Sequence, residues 1–376
     1  MKSLIFTSLF VLLLVIGLNA KAVIPFDGTF SLAKYYTDNE VDTSNQIYDQ
    51  VSTSLAQQPV EDEETIDLNT IEVDEQDREE FEIYKTYENL KRNINYNADR
   101  YLDVYYDKND SQTKKPVVIY IYGGSWVTGN KIRYTKFGVL LEQKGYVGVI
   151  PNYILYPNGS VEEMVEDIYK TIQWTYQNIS KYGGNPEKII LTAHSAGAHI
   201  SALTIVKSAL QSYNNGVQLQ PLPYLERVVL MNGPYILNKE LVGHSIVKGT
   251  VNFFSGNKSS NDKTDKKQAS LLPKFLLKYY NDNKISPIAI LRQLDDNSIP
   301  DHFNVGKFVF FYTSKDNTVP ESSAKNLIYE ITRTSPISNC RYVYREGLEH
   351  ATVIFGIRDN DPYYENIYLD LISGEF

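Results

Sequence analysis

At 376 residues the chain is long enough for one large domain with length to spare. Hydrophobic residues at 42% and charged residues at 22% are ordinary for a globular protein, and the 30 tyrosines read first as amphipathic core and surface filler. The net charge of −9 is concentrated in residues 39–80, where fourteen acids face one base, Arg78. The remainder is nearly balanced and has no Lys/Arg cluster, which argues against nucleic acid as the main partner. Cys340 is the sole cysteine, so an internal disulfide and a Cys-based metal site are both excluded, and it is expected as a buried strand residue.

Residues 1–22 open with Lys2, continue through an apolar run at 4–18 and end in Ala20 and Ala22. This pattern predicts a secretory signal peptide that is removed, leaving no stable membrane span; an uncleaved anchor is the alternative, but the run is short for a bilayer. Secretion or a luminal location is therefore expected, and Asn-x-Ser sequons at Asn109, Asn158, Asn178 and Asn257 would then be glycan acceptors. Residues 23–83 are polar and acidic with little apolar periodicity, and are expected to form a flexible extension.

From 84 to 376 apolar runs alternate with helical patterns, which predicts an α/β domain: a mainly parallel central sheet flanked by helices. Strands are expected at 101–106, 116–122, 147–153, 188–192, 227–231, 307–313 and 340–345, the last of these as an inner strand. Helices are expected at 136–144, 160–182, 197–210 and 320–332. In the second of these, Ser160 with Glu163 forms a capping box and Gly183-Gly184 a stop. The segment 237–301 lacks strand rhythm, carries a polar patch at 255–267, and is expected to be a cap insertion over the carboxyl edge of the sheet.

The chemistry is concentrated at the ends of the expected strands. Residues 189–199 read as a strand running into Ala193-His194-Ser195-Ala196-Gly197 and then a helix, the setting of a nucleophile elbow. Taken singly, Ser195 would also suit a helix N-cap after a buried strand. A second signal stands about 70 residues earlier, where Tyr122-Gly123-Gly124-Ser125-Trp126 follows a buried strand. Backbone N–H groups of Gly123, Gly124 and Ala196 are the expected oxyanion donors, each worth roughly 3–4 kcal/mol in the transition state. The acid and base must follow in that order: Asp316 lies just past the 307–313 strand and His350 just past the 340–345 strand. His350 would take the Ser195 proton while Asp316 fixes its tautomer. The other histidines, His194, His199, His244 and His302, are expected to be structural or to shape the pocket, and too scattered for a metal site.

With these residues in view, the chain resembles the carboxylesterase branch of the α/β-hydrolases that includes prenylcysteine methylesterases, kynurenine formamidases and hormone-sensitive-lipase-like (BD-FAE type) esterases. The resemblance covers roughly residues 94–356. It rests on Gly123-Gly124-x-Trp126, Asn152-Tyr153, the run 182–186, the run 195–199, Asp316-x-x-Val319-Pro320 and His350. It implies an α/β-hydrolase fold, a Ser195, Asp316, His350 triad and an oxyanion hole of Gly123, Gly124 and Ala196. Tyr122 stands where many relatives have His, and Ala193 replaces the first elbow glycine. Trp126, Tyr153 and His199 are expected to line the substrate pocket.

The expected activity is cleavage of a small carboxylic ester, such as a prenylcysteine methyl ester, through an acyl-enzyme, with no cofactor required. Two alternatives are an arylformamidase-type amide hydrolase on the same triad and a non-catalytic, hydrolase-like binding protein.

Overall fold

The computed structural model describes residues 77–248 and 263–375. The expected signal segment at 1–22, the extension up to residue 76, Asn257 and most of the polar patch at 255–267 lie outside the described residues.

Eight strands form one sheet. They are β1 (Leu90–Asn97), β2 (Arg100–Tyr105), β3 (Lys115–Ile121), β4 (Val147–Pro151), β5 (Gly184–His194), β6 (Arg227–Met231), β7 (Phe308–Lys315) and β8 (Cys340–Glu349). Their spatial order is β1-β2-β4-β3-β5-β6-β7-β8. β2 pairs antiparallel with β1 and β4, and all other pairs are parallel. Val117 to Ile121 in β3 and Val228 to Met231 in β6 are buried throughout, as central parallel strands covered on both faces must be.

The helices occupy the two faces. α1 is Arg78–Thr86, α2 Thr135–Gln143, α3 Val161–Asn178 and α4 Ala196–Ala209. Ser160 and Glu163 cap α3 reciprocally as the sequence predicts, and Gly183 ends the following turn in the left-handed region. α4 is buried at nearly every position, which its apolar, small-residue composition permits. The 237–301 insertion carries three helices among the described residues: α5 (Lys239–Lys248), α6 (Lys263–Tyr279) and α7 (Pro287–Arg292). α8 (Ser322–Thr334), α9 (Thr352–Arg358) and α10 (Pro362–Ser373) complete the chain.

Two expectations are corrected. The 340–345 strand is not an inner one: β8 pairs only with β7 among the described residues, and its half-exposed pattern suits an edge. The domain also begins before residue 84, because α1 packs on it with Phe81 and Tyr84 buried. Two acids at the start of α1 are held by distant bases: Asp77, its N-cap, pairs with Arg133 and Arg358, and Glu80 with Arg358.

Every turn carrying a predicted catalytic residue leaves the carboxyl end of a parallel strand. The glycine loop follows β3, Ser195 follows β5, and Asp316 and His350 follow β7 and β8. In open α/β sheets this is the edge where ligands bind.

Candidate active site

Ser195 sits between β5 and α4 with φ 52° and ψ −121°, a left-sided conformation that a non-glycine residue adopts only when its surroundings enforce it. Its N–H is fixed by the carbonyl of Met231 at 2.9 Å. Close approach of the helix to β3 explains the glycine at 197, where a Cβ would stand 2.4 Å from the Tyr122 carbonyl oxygen and 2.5 Å from that of Ile121. Ala193 causes no comparable difficulty, because it lies within the strand, paired beside Ile121 and Leu230.

Three side chains from three turns converge. Ser195 Oγ is 2.9 Å from His350 Nε2, and His350 Nδ1 is 2.7 Å from Asp316 Oδ2. The carboxylate is held from both sides: its Oδ1 accepts from the N–H groups of Thr318 (2.8 Å) and Val319 (2.9 Å), and its Oδ2 accepts from Asn232 Nδ2 (2.7 Å). Burial pushes the Asp316 pKa up, but the His350 charge and the hydrogen bonds from His350, Val319 and Asn232 outweigh it and hold the group below its ordinary value. Asp316 therefore stays ionised in a nearly closed site, as an imidazole-orienting acid must.

The loop after β3 lies over the serine. A Cβ on Gly123 would come within 2.9 Å of both Ser195 Cβ and His194 Nδ1. Gly124 has φ +130°, and a Cβ there would meet the Thr128 carbonyl oxygen at 2.1 Å, so glycine is required on both counts. The N–H groups of Gly123, Gly124 and Ala196 donate to none of the carbonyls that fix turns, loops and caps in the described chain.

Tyr122 anchors this loop through Tyr134, at the end of a short turn before α2, and Tyr153, just past β4. Its ring stacks between Tyr134 and Tyr153, and its carbonyl accepts from the Tyr153 hydroxyl at 3.0 Å. Tyr153 is therefore 3% exposed and spends its hydroxyl on the loop, so it supports the site rather than lining a pocket. His199 is corrected in the same way. It is fully buried, accepts from Trp126 Nε1 at 3.1 Å on Nδ1, and donates from Nε2 to the Ile285 carbonyl at 2.8 Å. Burial pushes its pKa down to about 4, so the ring stays neutral. Trp126 is 4% exposed and stacks on Phe275 of α6 with ring centres 4.6 Å apart, which makes it the seat of the cap.

Among the other histidines, His194 lies beside the base, its ring centre 4.9 Å from that of His350. Its Nε2 donates to the His350 carbonyl at 3.0 Å, and burial lowers its pKa to about 3. His244 of α5 donates to the Asp316 carbonyl at 3.0 Å, a contact between the cap and the acid turn. His302 packs against Tyr224. Among the described residues no cluster of His, Cys, Asp and Glu could hold a metal ion, and no helix is long and apolar enough to cross a membrane. Sequence reasoning missed Asn232, which carries no motif and is recognisable only once β6 and β7 are neighbours.

A mainly parallel eight-stranded sheet with a Ser–His–Asp relay at its carboxyl edge defines an α/β-hydrolase. Within that class the chain belongs to the BD-FAE family, whose model matches residues 102–329. It is 31% identical over 190 residues to the isoprenylcysteine alpha-carbonyl methylesterase of Arabidopsis thaliana, covering 47% of this chain and 44% of that protein. It is 37% identical over 90 residues to the probable carboxylic ester hydrolase LipM of Mycobacterium tuberculosis, covering 23% of this chain and 21% of that one. The chain thus spans less than half the length of these curated relatives. Two solved structures share the fold. One is a thermophilic esterase of Thermogutta terrifontis with butyrate bound (TM-score 0.52, 19% identity, 77% of this chain and 96% of that one). The other is a truncated carbohydrate esterase from gut microbiota (TM-score 0.53, 20% identity, 77% and 96%).

Proposed function

We propose that this chain hydrolyses small carboxylic esters through an acyl-enzyme on Ser195. The observation that carries the reading is the unbroken line from Ser195 Oγ through His350 to Asp316, with links of 2.9 and 2.7 Å. In the forward step Oγ attacks the acyl carbon while its proton passes to His350 Nε2. The N–H groups of Gly123, Gly124 and Ala196 receive the developing oxyanion, and the imidazolium then protonates the departing alcohol. Water repeats the sequence on the acyl-enzyme, using His350 as base.

Membership of the BD-FAE family and likeness to a methylesterase and a carboxylic ester hydrolase support an ester substrate, and a prenylcysteine methyl ester is the particular candidate. Routing into the secretory pathway is part of the same proposal. It is supported by the pattern at 1–22 and by the exposed positions of the sequon residues Asn109 and Asn158.

The test is a pre-steady-state assay with a short-chain nitrophenyl ester, run beside a prenylcysteine methyl ester and an arylformamide. A burst equal to the enzyme concentration, absent in Ser195→Ala, supports the acyl-enzyme. Turnover of the formamide in preference to both esters would overturn the ester assignment, and no turnover of any of the three would overturn the enzymatic reading.

A further inference from the structure

The end of β6 carries two links to the relay on consecutive residues. The Met231 carbonyl receives the N–H of Ser195 at 2.9 Å, and the next side chain, Asn232, donates to Asp316 Oδ2 at 2.7 Å. Asn232 has φ +50°, the left-handed region that asparagine tolerates better than most residues, and its own N–H is tied to the Phe311 carbonyl at 2.9 Å. The same amide reaches Thr313 Oγ1 at 2.8 Å, and Thr313 donates on to the carbonyl of Glu349, the residue before His350, at 3.2 Å. Asn232, 1% exposed, therefore ties the acid turn directly and the base turn through Thr313, and it follows the carbonyl that holds the nucleophile.

We infer that Asn232 is a positioning residue for hydrolysis: its amide fixes the Asp316 oxygen that orients His350 and limits how much negative charge that oxygen presents to the imidazole. The orientation of the amide follows from its partners, since a carboxylate can only accept and Nδ2 must face it. The backbone amides of Thr318 and Val319 hold the other oxygen, so without Asn232 the carboxylate could pivot about Oδ1. The titratable groups around the carboxylate are His350, His194, the Tyr312 hydroxyl and, against the Asp316 carbonyl, His244.

The turnover part of the test rests on the ester hydrolase reading, and a spectroscopic part does not. Asn232→Gly removes the amide while keeping the left-handed backbone relaxed; Asn232→Asp keeps shape and volume but replaces the donor with an acceptor. Both variants are expected to lose roughly tenfold or more in kcat, with KM within about twofold of the parent. The proton shared by His350 Nδ1 and Asp316 should shift or broaden in the NMR spectra of both variants. A parental kcat in Asn232→Asp overturns the inference, because a packing role alone would survive that change. An unmoved proton resonance overturns it as well, even in a protein that hydrolyses none of the esters tried.

Discussion

The relay and the cap are held in different ways. At the carboxyl edge of the sheet, Asp316 alone accepts hydrogen bonds from His350, Asn232, Thr318 and Val319, and each donor leaves a strand end or a tight turn. The cap spreads its ties over the domain: Phe275 stacks on Trp126, His199 bridges Trp126 to Ile285, His244 reaches the acid turn, and Tyr279, Glu240 and Arg292 meet Val161, Ser322 and Glu330. Several donors converging on one carboxylate hold the catalytic atoms within narrow limits, whereas ties spread over many residues let the cap tolerate the loss of any one ring contact. The catalytic atoms are thus fixed at one point, and the cap at many.

The sharpest way to break this comparison is at the acid. Asp316→Asn keeps the shape of the turn but removes the charge that steadies the imidazolium, and should lower kcat by about ten-thousand-fold with little change in the thermal midpoint. A loss of less than tenfold, in steady-state assays of the ester, would mean the relay is not the working part.

A change on the cap side should act differently. Phe275→Leu keeps an apolar contact with Trp126 but loses the stacked ring, worth about 1 kcal/mol. It is expected to raise KM several-fold while kcat stays within about threefold, measured on substrates of increasing acyl length. A fall in kcat with KM unchanged would place this contact with the chemistry instead.

The smallest effect is on the pH dependence of stability. His199 has its pKa lowered to about 4 from an ordinary 6.5 by burial. The unfolded chain therefore takes up a proton that the folded chain refuses. The stability this group contributes is complete above pH 6.5 and is lost as the pH falls through about 4, with a slope of up to about 1.4 kcal/mol per pH unit. His199→Gln, which can still accept from Trp126 and donate to Ile285, should flatten the acid side of the curve in urea titrations between those limits. An unchanged slope would contradict the neutral, buried assignment.

The same contrast explains what was legible in the sequence. The elbow around Ser195, the Gly123-Gly124 loop, Asp316 and His350 could be read because each is a local pattern at a strand end, and the parallel sheet could be read from its apolar runs. α1 could not, since Asp77 and Glu80 look like part of a solvated acidic run until Arg133 and Arg358, 56 and 281 residues from Asp77, are brought beside them. Tyr153 and His199 invited a pocket role because they stand next to catalytic motifs. Their polar atoms are in fact used by Tyr122, Trp126 and Ile285, which only packing reveals. Asn232 left no trace for the same reason, as its partners Thr313 and Asp316 lie 81 and 84 residues away.

The central claim is that Ser195 is made nucleophilic by His350, and covalent labelling tests it most directly. The folded protein would be treated with a fluorophosphonate and the adduct located by mass spectrometry of its peptides. A single adduct on Ser195, absent in Ser195→Ala and slowed at least a hundredfold in His350→Gln, is the predicted result. Labelling at another residue, or an unlabelled Ser195 in protein shown to be folded, would contradict it.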